Sequence, residues 1–174
     1  MKKIVVLASL LCFSIVSYSQ SPIGKNGKQF NAGLGLTGSG VPVYIGLDFG
    51  VHPDITLGVE MSYKSYNDDY SYWDGHNNVH ASAHHNIIGL SGNMNYHFNT
   101  ILEIPRNWDL YAGLNVGYWV WTSPNNYSGS GNSGLGLGLQ IGGRYYFNNK
   151  IGINLEIGGP MSGAGGKIGV SIKI

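Results

Sequence analysis

Leu135-Gly136-Leu137-Gly138-Leu139-Gln140-Ile141 puts a large apolar residue at every second position, with glycine or glutamine between. Successive strand residues point to opposite faces, so the stretch has one apolar face and one small or polar face. A helix would need apolar residues three and four apart, and the interspersed glycines oppose one. The same alternation runs through Phe30-Asn31-Ala32-Gly33-Leu34-Gly35-Leu36 and closes the chain at Lys167-Ile168-Gly169-Val170-Ser171-Ile172-Lys173-Ile174. Followed along the chain, it predicts eight strands, at about 29–38, 41–50, 55–66, 85–98, 108–122, 135–147, 151–158 and 167–174.

Ahead of the strands, Lys2 and Lys3 precede an apolar run from Ile4 to Val16, followed by Ser17-Tyr18-Ser19-Gln20. A basic start, a short apolar stretch and a small-x-small site make an export signal. Residues 1–19 are read as that signal, cut after Ser19, and residues 20–174 as one domain. The run is too short to span a bilayer as a helix. Cys12, the one cysteine of the chain, lies inside it, so the exported domain has no thiol or disulfide chemistry.

Of the ten basic residues, loss of Lys2 and Lys3 leaves eight against nine acidic ones, a net charge of −1. No basic patch suggests a nucleic-acid partner. Charged residues are 11% of the chain, against about 25% in ordinary soluble domains. An exported, charge-poor chain of alternating strands with no helical span fits a transmembrane β-barrel.

The apolar and polar faces could be arranged in two ways. A soluble barrel resembling lipocalins turns its apolar face inward, and a membrane barrel turns it out. Only six charges were counted on the polar faces, too few for a water-facing wall, where about 25–35% is usual. On the apolar face the aromatics gather at strand ends: Phe30, Phe49, Tyr96, Phe98, Trp108, Tyr145 and Phe147 at one end, Tyr63 and Tyr118 at the other. Such girdles mark membrane interfaces. The connections also alternate in length. Those after strands 2 and 6 are tight, whereas 67–84 and 123–134 are long and polar. Short turns belong on the periplasmic side, so both termini are placed there.

In strand number, alternation and loop asymmetry the chain resembles the small eight-stranded outer-membrane barrels of the OmpA/OmpX type. The resemblance covers nearly the whole exported domain. It implies an all-β, eight-stranded antiparallel up-and-down transmembrane barrel in the outer membrane of a Gram-negative bacterium, surrounded by outer-membrane lipid.

The six interior charges are Asp48, Glu60, Lys64, Arg144, Glu156 and Lys173. Unpaired charges are costly in a dry interior, so a compensated ladder is expected, with Arg144 opposite Asn154 and Glu156 on the diagonal. Eight strands enclose only enough room for side chains, so these charges are read as a plug and no large pore is expected.

Residues 67–84 also hold His76, His80, His84 and nearby His85, with Asp68, Asp69 and Asp74, all suitable for Zn²⁺ or Cu²⁺. No helical pattern aligns them, and the reading is a polar loop without a metal. Ser82, His84 and Asp68 are the set that could imitate a lipid-modifying barrel enzyme, but no spacing among them is diagnostic. Gly134-Leu135-Gly136-Leu137-Gly138 opens a strand and offers no helix N-terminus to a phosphate. Neither cofactor nor catalytic residue is expected. The outer loops are instead aromatic. Tyr70, Tyr72, Trp73 and Tyr127 are the candidate recognition residues for an extracellular ligand bound through loops 67–84 and 123–134. A non-enzymatic structural or surface-binding barrel follows. A lipid-modifying barrel enzyme and a soluble lipid carrier are the alternatives.

Overall fold

The computed structural model describes residues 21–38, 40–73, 75–122, 132–160 and 165–174. The expected export segment with its cleavage after Ser19, and Asp74 and Tyr127, lie outside the described residues. Eight strands form among those described: β1 (Lys28–Leu36), β2 (Val43–His52), β3 (Ile55–Trp73), β4 (Asn78–His97), β5 (Trp108–Thr122), β6 (Gly134–Tyr146), β7 (Ile151–Pro160) and β8 (Gly165–Lys173). They close in chain order into one barrel. Every neighbouring pair is antiparallel, and β1 meets β8 from Gln29↔Lys173 to Leu36↔Gly166. Closure removes the sheet edges, which is the condition for strands to cross hydrocarbon.

The barrel is inside-out. Leu139 is 71% exposed and Leu114 54%, while Gln140, next to Leu139, is 4% exposed. The outer wall is aliphatic from Leu34 on β1 to Ile172 on β8, and the buried side chains include Gln29, Asp48, Asn95, Asp109, Asn115, Arg144 and Glu156. A soluble barrel would invert this. The girdle at the end carrying the termini is built of touching rings: Trp108 on Tyr145 at 4.7 Å, Tyr145 on Phe147 at 5.5 Å, and Tyr96 on Phe98 at 5.4 Å.

The interior fits because glycine leaves room for rings. A Cβ on Gly142 would lie 2.4 Å from the Tyr111 ring, and one on Gly117 2.4 Å from Trp119. Gly142→Ala should therefore cost about 1–3 kcal/mol through overpacking. Gly143→Ala is the control, since its nearest contact would be the flexible end of Leu110 at 3.2 Å. Urea titration of folding in lipid vesicles measures both.

One connection differs from the sequence reading. Residues 67–84 are not a loop: β3 and β4 remain paired up to Trp73↔Asn78. The connection shrinks to the short stretch between Trp73 and Asn78, where Gly75 takes a left-handed φ of 96° that suits glycine. Beyond Tyr63 the ribbon leaves the barrel wall, and apolar alternation disappears there. Strand-favouring Tyr66, Tyr70, Tyr72, Trp73 and Val79 continue the pairing without it. The 99–107 connection is also structured. Asn99 Nδ2 donates to the Trp108 carbonyl at 2.7 Å, and the Leu102 and Ile104 amides donate to the carbonyls of Phe98 and Asn99. Its length builds a hydrogen-bonded turn.

Candidate functional site: the charged interior and the β3–β4 ribbon

Alternate residues of every strand point into the barrel, so side chains distant in sequence meet there. Arg144 of β6 reaches across to Asp48 of β2 at 2.7 Å and to Asp109 of β5 at 3.2 Å. Its guanidinium lies 4.3 Å from the Tyr111 ring centre. Asp109 also takes His97 Nδ1 at 2.7 Å, and His97 Nε2 contacts Thr56 Oγ1 at 3.0 Å. A second group lies nearer the end opposite the termini. Lys167 of β8 bridges Glu60 of β3 at 2.8 Å and Glu156 of β7 at 2.7 Å. The Tyr111 hydroxyl donates to Glu156 at 2.9 Å and links the two groups.

Of the six charges named from the sequence, Asp48 and Arg144 meet directly, and Glu60 and Glu156 share Lys167. Arg144 sits opposite Asn154 in register, but its side chain turns to Asp48 and Asp109, away from Glu156. Lys64 lies over Tyr66 at 5.2 Å, and Lys173 lies over Tyr146 at 3.8 Å at the terminus end. Asp109 and Lys167 were missed. The signal was present, because Asp109 alternates with Leu110 and Lys167 with Ile168, and both apolar partners face outward. The two groups thus bring Asp48, Glu60, Asp109 and Glu156 together with Arg144 and Lys167.

Amides fill the space between the charges. Asn31 Nδ2 donates to Asp48 at 3.0 Å, Ser171 Oγ to Asn31 at 2.8 Å, and Asn154 Nδ2 to Ser171 at 2.9 Å. Tyr44 donates to Asn154 at 2.8 Å, and the Tyr146 hydroxyl bonds Gln29. Between the two charge groups lies a polar cavity of about 20 Å³, room for about one water. A cup of about 70 Å³ is lined by Tyr44, Ser62, Trp119 and Lys167.

Thr56, His97 and Asp109 have the hydroxyl–imidazole–carboxylate order of a nucleophile relay. All three are fully buried. The three side chains pack together inside the barrel beside Arg144. The set Ser82, His84 and Asp68 is separated by the strand register. Ser82 pairs with Asp69 and His84 with Asn67, and Asp68 belongs to the other face of the ribbon. His84 bonds Ser65 at 3.1 Å and Asn67 at 2.8 Å, and His80 bonds Ser71 at 2.8 Å. His80 and His84 are four strand positions apart, about 13 Å. No group of three metal-ligating side chains forms among the described residues.

The ribbon is the other candidate site. β2 leaves β3 at Val43↔Tyr63, and β5 leaves β4 at Asn86↔Thr122. Residues 64–73 and 78–85 therefore project as a two-stranded arm. Its base is fixed by rings: Tyr66 on His85 at 5.2 Å, and Trp121 against both at 6.1 and 6.0 Å. Tyr70 and Asp68 continue the lumen-side row, Trp73 and Asp69 continue the lipid-side row, and Tyr72 pairs with Val79. The aromatic candidates are thus divided between two faces. Trp73 is exposed near the tip.

Three comparisons bear on this geometry. Against curated proteins the sequence finds no match. Among solved structures, the chain is similar to the N-terminal β-barrel domain of Pseudomonas aeruginosa OprF. Identity is 16% and the TM-score 0.61, covering 87% of this chain and 99% of that one. It is similar to the outer membrane protein OprG of the same organism at 14% identity and TM-score 0.60, covering 88% and 99%. Neisserial surface protein A follows at 13% identity and TM-score 0.56, covering 85% and 96%. At such identities the likeness is one of fold. The model of the outer membrane protein beta-barrel domain matches residues 6–168. The closed eight-stranded barrel, its lipid-facing aliphatic wall and that match together make the chain a member of the outer membrane protein beta-barrel domain family.

Proposed function

We propose that the chain is a non-enzymatic surface-binding barrel of the Gram-negative outer membrane, with both termini in the periplasm, a plugged interior and its recognition element in the β3–β4 arm. The observation that carries this is the arm itself. It extends the longest two strands beyond the wall on a ring-packed base. Loops and extensions held by a rigid scaffold are where binding residues concentrate. The plug supports the reading, since opposite charges and amides occupy the lumen that a channel would need.

Tyr70 and Trp73 with Asp68 and Asp69 combine aromatic faces with carboxylates, which suits sugars or basic surfaces better than anionic ones. Replacing residues 68–80 with a tight turn should leave a folded barrel by circular dichroism and abolish binding of intact cells to host or envelope glycans. Trp73→Ala alone should weaken that binding about tenfold or more. Full binding after the deletion would reassign the protein to a purely structural envelope role.

A further inference from the structure

The terminus end carries a cluster that the plug and the arm leave unexplained. Between the 99–107 turn, the β6–β7 turn and the first described residues lies an open concavity of about 600 Å³. Arg106 and Lys173 line it together with Asn107, Asn148 and Asn149, and Phe147 of the aromatic girdle forms its edge. Backbone hydrogen bonds fix these walls to one another: Tyr146 N donates to Asn107 O at 2.7 Å, and Lys173 N to Lys150 O at 2.8 Å. The cations continue around the rim. Lys25, Lys28, Arg106 and Lys150 are exposed there, and Lys28 is joined to the Ile174 strand end by its carbonyl. Among the described residues Glu103 is the exposed acidic side chain at this end, since Asp54 is buried. The arm at the opposite end has the reverse balance, with Asp68 and Asp69 and no lysine or arginine beyond Lys64.

The same end also displays Ile101 at 66% and Leu102 at 59% exposure. The turn that holds them is fixed by Asn99 and by Thr100 Oγ1, which bonds Asp54 Oδ1. A pinned turn with two adjacent aliphatics, contiguous with the Tyr96–Phe98 girdle, matches the boundary between headgroups and acyl chains.

We propose that this mouth binds the headgroup of an anionic phospholipid in the adjoining leaflet. Arg106 and Lys173 face its phosphate, the asparagine amides its polar headgroup, and Phe147 with the Ile101–Leu102 knob its acyl side. Arginine and lysine both recognise phosphate, and near a membrane surface each cation adds a similar increment to anionic-lipid affinity. Charge complementarity and continuity with the lipid-facing wall select a phospholipid over a soluble anion.

The test is native mass spectrometry of the delipidated protein in neutral detergent, titrated with phosphatidylglycerol and with phosphatidylethanolamine. It depends neither on orientation in the cell nor on what the arm binds. Phosphatidylglycerol should bind about tenfold more tightly. The preference should vanish in Arg106→Gln/Lys173→Gln and persist in Lys173→Arg, each variant being checked for the heat-dependent gel shift of a folded barrel. Equal affinity for the two lipids, or a preference retained in the double variant, would overturn the proposal. Full displacement of phosphatidylglycerol by inorganic phosphate would overturn the lipid assignment in favour of a soluble anion.

Discussion

Arg144→Met is expected to destabilise the folded barrel by about 3–5 kcal/mol, the usual consequence of removing one partner from a buried charge group. The arginine bridges Asp48 and Asp109, both inside the barrel, and methionine leaves the two carboxylates without it. Arg144→Lys should fall between, because one ammonium cannot reproduce the fork that reaches β2 and β5 together. Adding Asp48→Asn and Asp109→Asn to Arg144→Met should recover much of the loss, since no uncompensated charge then remains. Reversible urea titration in lipid vesicles gives all three values against the parent. An Arg144→Met barrel as stable as the parent would show that these charges are not the plug's framework.

Leu139→Arg should cost about 2–4 kcal/mol if its position is near the bilayer midplane, and Leu114→Arg a similar amount. Both leucines are exposed on the outer wall and pair with each other across β5 and β6. The adjacent inward positions give the contrast. Asn115 donates to Gln140 at 2.8 Å, and Gln140 donates to Asn95 at 2.7 Å. Asn115→Ala should then cost about 1–2 kcal/mol, one buried hydrogen bond with its partner left behind. The same vesicle titration checks both; harmless arginines with a severe Asn115→Ala would mean that the faces are inverted.

The barrel was legible because each face meets a different solvent. Lipid outside and side-chain packing inside force a two-residue period, and Leu135–Ile141 shows it without a break. Where that contrast ends, so does the signal. Beyond Tyr63 the β3–β4 arm leaves the wall, and its sequence is indistinguishable from a polar loop although its backbone stays paired to Trp73↔Asn78. Parity could also have placed Asp109 and Lys167 inside. What alternation cannot supply is the choice of partner across the lumen. Arg144 lies opposite Asn154 in the sheet, yet its long side chain crosses to strands β2 and β5. The anion-facing mouth was invisible for the same reason, since Arg106 and Lys173 become neighbours of one concavity only when the barrel closes.

A closed interior is the claim on which the reading of this protein as a surface binder turns, and planar-bilayer recording of the pure protein tests it most directly. With Lys167 tied to Glu60 and Glu156, and Arg144 to Asp48 and Asp109, the recordings should show no stable open steps. Reproducible single-channel steps that change in size or frequency with Arg144→Ala would contradict it.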